Sequence, residues 1–333
     1  MPWSMWPAVP TTMLRIQTIL IVLLACLPPS AAQTPAAPPA QDPAAGATPV
    51  FRTGVADVRV VVEALENNQT VKGLTKDDFI VADEDQPQPV ISCDQEKEPL
   101  DLLLLLDISG SMRPHITEMS ETARDALRFL LPADRVAIMT FGQRTNLHFD
   151  WFDNHVEVAR QLRTAIDDQE KVGYGTAINS AIIDASRFLG KDESSARRSI
   201  LIVTDNLCLN YRANDSLAIG YLLKADAVLN AIVIGRGIRP GPAKSGDDPD
   251  FTPADVFKLA DSTGGEAVRA DRAAASFPEM VSRIRDRYTL AYHLPEGTRP
   301  GQFRHISVRL APTARQLHPN AQVRARTGYY VRQ

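Results

Sequence analysis

Five oxygen-bearing side chains, spread over three separate stretches, carry the chemistry this sequence offers. Asp107-Ile108-Ser109-Gly110-Ser111 is the first stretch, Thr176 follows Gly173-Tyr174-Gly175, and Asp205 follows Thr204. Two carboxylates and three hydroxyls are hard oxygen donors. Mg²⁺ or Mn²⁺ takes six oxygens, keeps several waters and is held by few charged ligands. With only two carboxylates the ion stays short of negative charge, so a carboxylate from outside can complete its shell. The expected partner is therefore a protein ligand presenting Asp or Glu, and the ion is the bridge.

Spacing alone does not establish such a site. An Asp-x-Ser-x-Ser string arises by chance in on the order of a tenth of chains this long. Ser109, Ser111 and Thr176 are also residues that cap helix N-termini. Weight comes from the elements that position them. Leu102 to Leu106 is an unbroken apolar run that stops at Asp107. Its length and the Ser-Gly-Ser after it predict a buried strand running into a turn. Ile116, Met119, Ala123, Leu127 and Leu130 mark one helical face, followed by a strand at 136–139 and an edge-like strand at 147–149. Ile178, Ala181, Ile182, Ala185 and Leu189 form a second helical stripe, opened by Thr176. Ile200 to Val203 is another buried strand, and it ends in Thr204-Asp205. Helices near 215–226, 253–262 and 274–287 then alternate with strands at 231–234 and 267–268. This alternation predicts an α/β fold, a doubly wound, mostly parallel sheet with helices on both faces. In such sheets functional groups gather outside the carboxyl ends of the strands, at the switch point. Asp107 and Asp205 both end strands.

The α/β segment, 98–288, is flanked by β-rich stretches at 51–97 and 289–333. Each flank is too small to bury a core alone, so they are expected to pair into one β-sandwich-like module with the α/β domain inserted. Asp83-Glu84-Asp85 reads as a solvated polar turn, because the Gly and bidentate Glu of an EF-hand loop do not follow. Cys93 and Cys208 fall at opposite ends of the predicted sheet, which favours free thiols over a bridge. The Gly/Pro/Asp-rich loop at 236–253 leaves the metal-bearing edge. It reads as a partner contact, as an uninvolved insertion, or as an acidic segment able to occupy the metal site.

Before residue 40 the only charge is Arg15. It precedes the apolar run from Ile19 to Leu27 and the small residues Ser30-Ala31-Ala32. This is a signal-peptide pattern with cleavage expected after Ala32, which makes the protein secreted or periplasmic. An alternative reading takes Leu23-Leu24-Ala25-Cys26 as a lipobox, with Cys26 the lipid anchor of a lipoprotein. Residues 33–50, rich in Pro and Ala, read as a disordered linker. No later run approaches the ~20 apolar residues of a spanning helix, so no transmembrane helix is expected in the mature chain. The formal net charge of −4 over 333 residues lacks the basic excess of a nucleic-acid binder.

These residues resemble the von Willebrand factor type A family, and in particular exported bacterial proteins with a related domain. The resemblance covers about 98–290 and extends weakly to Gly73–Phe79, Phe303–Ile306 and Ala325–Tyr329. It implies a metal-ion-dependent adhesion site made by Asp107, Ser109, Ser111, Thr176 and Asp205, with the serines coordinating directly and Asp205 often acting through water. Asn206 departs from the pattern, in which Gly is common, and is expected to alter that loop without removing a ligand. The implied function is a metal-dependent adhesion or assembly module, not an enzyme. The alternatives are an envelope scaffold with a vestigial site and a Mg²⁺-dependent hydrolase. The hydrolase reading fits less well: dehalogenase-like phosphatases place a second Asp where Ser109 stands, and neither a Walker A motif nor His-Glu-x-x-His is present.

Overall fold

The computed structural model describes residues 56–95, 98–207, 213–235 and 254–332. The expected signal peptide, Cys26, the 33–50 linker, Cys208 and the 236–253 loop lie outside the described residues. The described residues begin with five strands, β1 (Asp57–Glu66), β2 (Gln69–Thr70), β3 (Phe79–Asp83), β4 (Gln86–Gln88) and β5 (Ser92–Gln95). An α/β body follows: β6 (Leu100–Asp107), α1 (Arg113–Glu121), α2 (Ala123–Leu127), β7 (Arg135–Phe141), β8 (Thr145–Phe152), α3 (His155–Leu162), α4 (Gln169–Val172) and α5 (Ile178–Lys191). It continues through β9 (Arg197–Thr204), α6 (Asp215–Ala225), β10 (Ala227–Ile234), α7 (Val256–Thr263), β11 (Ala267–Ala270) and α8 (Ala273–Arg285). The chain closes with β12 (Tyr288–His293), β13 (Phe303–Leu310), α9 (Pro312–Leu317), β14 (Gln322–Ala325) and β15 (Gly328–Tyr330).

The body is built on a six-stranded sheet ordered β11-β10-β9-β6-β7-β8. All its pairs are parallel except β7 with the edge strand β8. Leu102 to Leu106 are all fully buried, because both faces of β6 are covered. Leu102, Leu104 and Leu106 join the core under α1, α2, α3 and α8. Leu103 and Leu105 join the core under α5, α6 and α7. Period-2 alternation thus sends one apolar run into two cores, and each buried leucine stabilises the fold by about 1.5–3 kcal/mol. From β6 the chain winds outward to β7, whereas β9 winds the other way to β10 and β11. The switch point therefore lies between the adjacent strands β6 and β9, and the loops leaving them diverge there.

The flanking segments interleave. β1 lies between β12 and β14, with β5 beyond β12; β13 pairs with β3 and β15. Two antiparallel sheets result, enclosing Val58, Val60, Val62, Phe79, Val81, Tyr288, Leu290, Tyr292 and Ile306.

One expectation needs correction here. Glu84 and Asp85 do form an exposed hairpin turn, with φ of 48° and 63°, but Asp83 is fully buried. The inward alternation of β3 at Phe79 and Val81 continues to Asp83 and carries the carboxylate into the core. There it accepts hydrogen bonds from the Tyr292 and Tyr329 hydroxyls, both at 2.8 Å, and from Arg304 Nε at 2.7 Å. Cys93, on β5, is a free thiol whose pKa is pushed up to about 11 by burial.

A buried ionic layer joins the sandwich to the body. Glu63 of β1 faces Arg287 and Arg324 at 3.3 Å and Arg283 at 3.6 Å. Glu266 pairs with Arg283 and with Arg324. Arg287 also donates to Gly264 O and Asn230 Oδ1, both at 2.8 Å. Removing one member of such a layer strands the others, at about 3–5 kcal/mol.

Candidate metal-binding site

Asp107 ends β6 and is fully buried. Its Oδ1 accepts the Ser109 N–H at 3.0 Å, and its Oδ2 accepts Thr204 Oγ1 at 2.7 Å. Burial is the dominant influence on this carboxyl and pushes its pKa up to about 6. The Ser109 and Thr204 hydrogen bonds act in the opposite direction, and the neighbouring Asp205 charge adds to the rise.

The turn after β6 folds over the sheet end. Ile108 N–H bonds to Phe141 O at 3.1 Å, and Met112 N–H to Ser109 O at 2.9 Å. Ser109 Oγ and Ser111 Oγ stand 3.4 Å apart. Ser111 Oγ donates to Asp205 Oδ2 at 2.7 Å, linking residues 94 apart in sequence. Cis ligands at about 2.1 Å from an octahedral cation stand roughly 3 Å apart, so the two hydroxyls have compatible spacing. Asp205 Oδ1 accepts the Leu207 N–H at 3.0 Å, and Asn206 N–H reaches Thr204 Oγ1 at 3.1 Å. Asn206 takes φ of +56°. That is the left-handed region glycine favours and Asn tolerates better than most residues, so the residue adopts a glycine-like turn.

Thr176 arrives on a third loop. Gly142, just past β7, fixes that loop: a Cβ there would sit 2.5 Å from Gly173 O and 3.2 Å from Gly175 O. Ala177 N–H bonds Gly142 O at 2.9 Å. Because β7 lies beside β6, this docking brings the loop to the same end of the sheet as Asp107. Among the described residues no hydrogen bond links Thr176 to the other four.

Helix capping does not account for the hydroxyls. The N-cap of α1 is Met112 and that of α5 is Ala177, and neither cap makes a side-chain hydrogen bond. Ser109, Ser111 and Thr176 lie just outside those helices. Among the described residues no cluster of three or more His, Cys, Asp or Glu could hold a metal ion. The two carboxylates here are supplemented by hydroxyls alone, which is the donor chemistry of a hard cation. Asp107, Ser109, Ser111 and Asp205 are drawn together by the turn and the β6–β9 pairing. Two contributors were missed in the sequence. Thr204, a strand end in the sequence, also orients Asp107, and its place just before Asp205 is the only local signal of that role. Gly142 carried no signal beyond a glycine following a strand.

Comparison with known proteins agrees with this topology. Residues 102–207 match the model of the von Willebrand factor type A domain. Among curated proteins none matches in sequence. Solved structures similar to this chain include an aerotolerance-related membrane protein from Bacteroides fragilis, at 17% identity and TM-score 0.43, covering 56% of this chain and 98% of that one. A von Willebrand factor type A protein from Catenulispora acidiphila is 13% identical, with TM-score 0.43, covering 85% of this chain and 76% of that one. Proximal thread matrix protein 1 from the mussel byssus, in a form whose MIDAS motif is occupied by zinc, is 15% identical, with TM-score 0.43 and coverage of 61% and 50%. The family match falls on the segment that carries β6, β9 and the Asp107, Thr176 and Asp205 loops, and this part of the α/β body is similar to the von Willebrand factor type A domain.

Proposed function

We propose that this protein is an exported, metal-dependent protein-binding module. Asp107, Ser109, Ser111, Thr176 and Asp205 hold Mg²⁺ or Mn²⁺, and the ion bridges to an Asp or Glu carboxylate of a partner protein. The observation that carries this reading is the Ser111–Asp205 hydrogen bond beside the Asp107 turn. It joins two strand ends into one cluster of hard oxygens at the sheet's switch point.

Asp107 supplies the buried charge, Thr204 and the Ser109 N–H fix its orientation, and the serine hydroxyls offer neutral donors. When bound, the ion supplies a positive centre that attracts an external carboxylate. Tyr174 and Leu207, 85% and 65% exposed, lie two residues from Thr176 and Asp205 respectively. They offer apolar contact around a docked carboxylate. Export rests on the signal-peptide pattern ending at Ala32, with a lipid anchor at Cys26 as the alternative. Among the described residues no helix is long and apolar enough to cross a membrane.

Thermal melts with chelator and with millimolar Mg²⁺ or Mn²⁺ test the metal site. A ligand that binds only the folded state raises the midpoint, by about 2.7 kcal/mol of stability at a hundredfold excess over Kd. The rise should vanish in Asp107→Ala. A flat response in the wild type would favour a scaffold with a vestigial site. Capture of an envelope protein by the wild type, lost with chelator and in Asp107→Ala, is the expected partner result. Mg²⁺-dependent phosphate-ester turnover lost in Asp107→Ala would overturn the binding-only reading.

A further inference from the structure

One cavity among the described residues lies away from the metal edge. It lies between the outer face of β1 and the base of the α/β body, with a volume of about 270 Å³. Its walls come from the start of β1, the 194–198 segment leading into β9, the end of α6 and the chain after β15. Arg197 opens β9 and Thr204 ends it. At about 3.3 Å per residue this places the cleft roughly 23 Å from the metal-bearing edge.

The lining is strongly basic, with six cationic side chains against two carboxylates, Asp57 and Asp226. Both carboxylates are engaged, Asp57 with His293 and Asp226 with Arg326 and Arg332. Arg197 and Arg326 are only 5% and 9% exposed. Each uses both terminal nitrogens, Arg197 on the carbonyls of Arg285 and Arg287, Arg326 on Asp226 and Arg59 O. Each is left with a buried Nε–H that has no hydrogen-bond partner. An unsatisfied buried donor costs about 1–3 kcal/mol, more on a charged group. Both Nε atoms are sealed from solvent, so these two guanidinium groups contribute positive charge to the wall, and the donors that a ligand can meet belong to the more exposed cations of the lining. Lys224 stands at the rim, exposed, with its ammonium 5.1 Å from the Tyr330 ring centroid and no carboxylate partner.

We propose that this cleft is a second binding site, taking a small oxyanion-bearing molecule, a carboxylate or a phosphate ester. The volume suits a compact ligand, near the lower end for small-molecule pockets. The buried guanidinium groups supply the positive field, and Lys224 and Arg332 form the entrance. The site is independent of the metal and of the reading given to it.

The test is calorimetric titration of the full chain in chelator, at low salt, with inorganic phosphate and with succinate. Saturable binding of at least one anion is expected. Phosphate alone would assign phosphate esters, and succinate alone would assign carboxylates. Lys224→Glu should weaken binding at least about tenfold, the loss expected when an attractive charge becomes repulsive. Arg332→Glu should act in the same direction. Both side chains are exposed, so neither change threatens folding. Asp107→Ala, at the far end of the sheet, should leave the affinity unchanged. No saturable binding of either anion up to about 20 mM, or equal binding by Lys224→Glu and the wild type, would overturn the proposal.

Discussion

Replacing Asp107 with Asn should make the metal-free protein more stable at neutral pH while abolishing its response to metal. Burial raises the Asp107 pKa from 3.8 to about 6. The folded state therefore holds this proton more tightly than the unfolded chain does. In chelator, the wild type keeps its full stability below about pH 4, loses part of it as pH rises from about 4 to about 6, and levels off above. The loss is at most about 3 kcal/mol, from a rise of some two pH units at 1.36 kcal/mol each. Asn removes the titration and retains the geometry. Its oxygen can accept the Ser109 N–H, and its amide can donate to Thr204 Oγ1, where Asp107 now accepts. Denaturant melts of both proteins in chelator at pH 4 and pH 7 measure the effect. The stability difference, Asn over Asp, should grow toward pH 7. With Mg²⁺ or Mn²⁺ the order should reverse, because only the wild type gains binding energy. The metal competes with the proton, so its affinity for the wild type should fall about tenfold per pH unit below about 6. A difference between the two proteins that stays constant from pH 4 to pH 7 in chelator would refute the reasoning.

Gly142→Ala places a methyl 2.5 Å from Gly173 O; it should cost about 1–3 kcal/mol of stability and reduce the metal-induced rise in melting temperature by moving Thr176, with all five candidate ligands intact. Thr204→Val removes a donor to Asp107, so metal titrations should show weaker binding with the fold retained by circular dichroism. Asp83→Ala leaves Arg304, Tyr292 and Tyr329 without their shared acceptor and should destabilise the protein by about 3–5 kcal/mol in denaturant melts, without changing metal affinity. Cys93 should react slowly with thiol reagents at pH 8, because a thiol raised to about 11 carries little thiolate there.

Much of the fold was legible because its signals are local. The Leu102–Leu106 run, the helical stripes at 116–130 and 178–189, and the strand at 200–203 are periodicities of burial, and the sheet and its two helix layers follow from them. Asp107 and Asp205 could be recognised as strand ends for the same reason. The turn at Asp83 shows the limit. Its neighbours Glu84 and Asp85 are solvated, and nothing in the sequence around Asp83 says that two tyrosines and an arginine from the far end of the chain converge on it.

By itself the sequence determined the alternation of strands and helices, the apolar strands that must be buried on both faces, and the presence of five hard oxygen groups at strand and helix boundaries. Those properties depend on residues within a few positions of one another. The tertiary structure alone decided that Ser111 meets Asp205, that Thr204 rather than solvent satisfies Asp107, and that Gly142 docks the Thr176 loop. It also decided which of the charged residues are buried. Glu63, Glu266, Arg283 and Arg287 look like surface charges in sequence, and they become a sealed layer only because the two ends of the chain pair beneath the α/β body. Each of these facts depends on strand order and loop docking, which bring together residues tens to hundreds of positions apart.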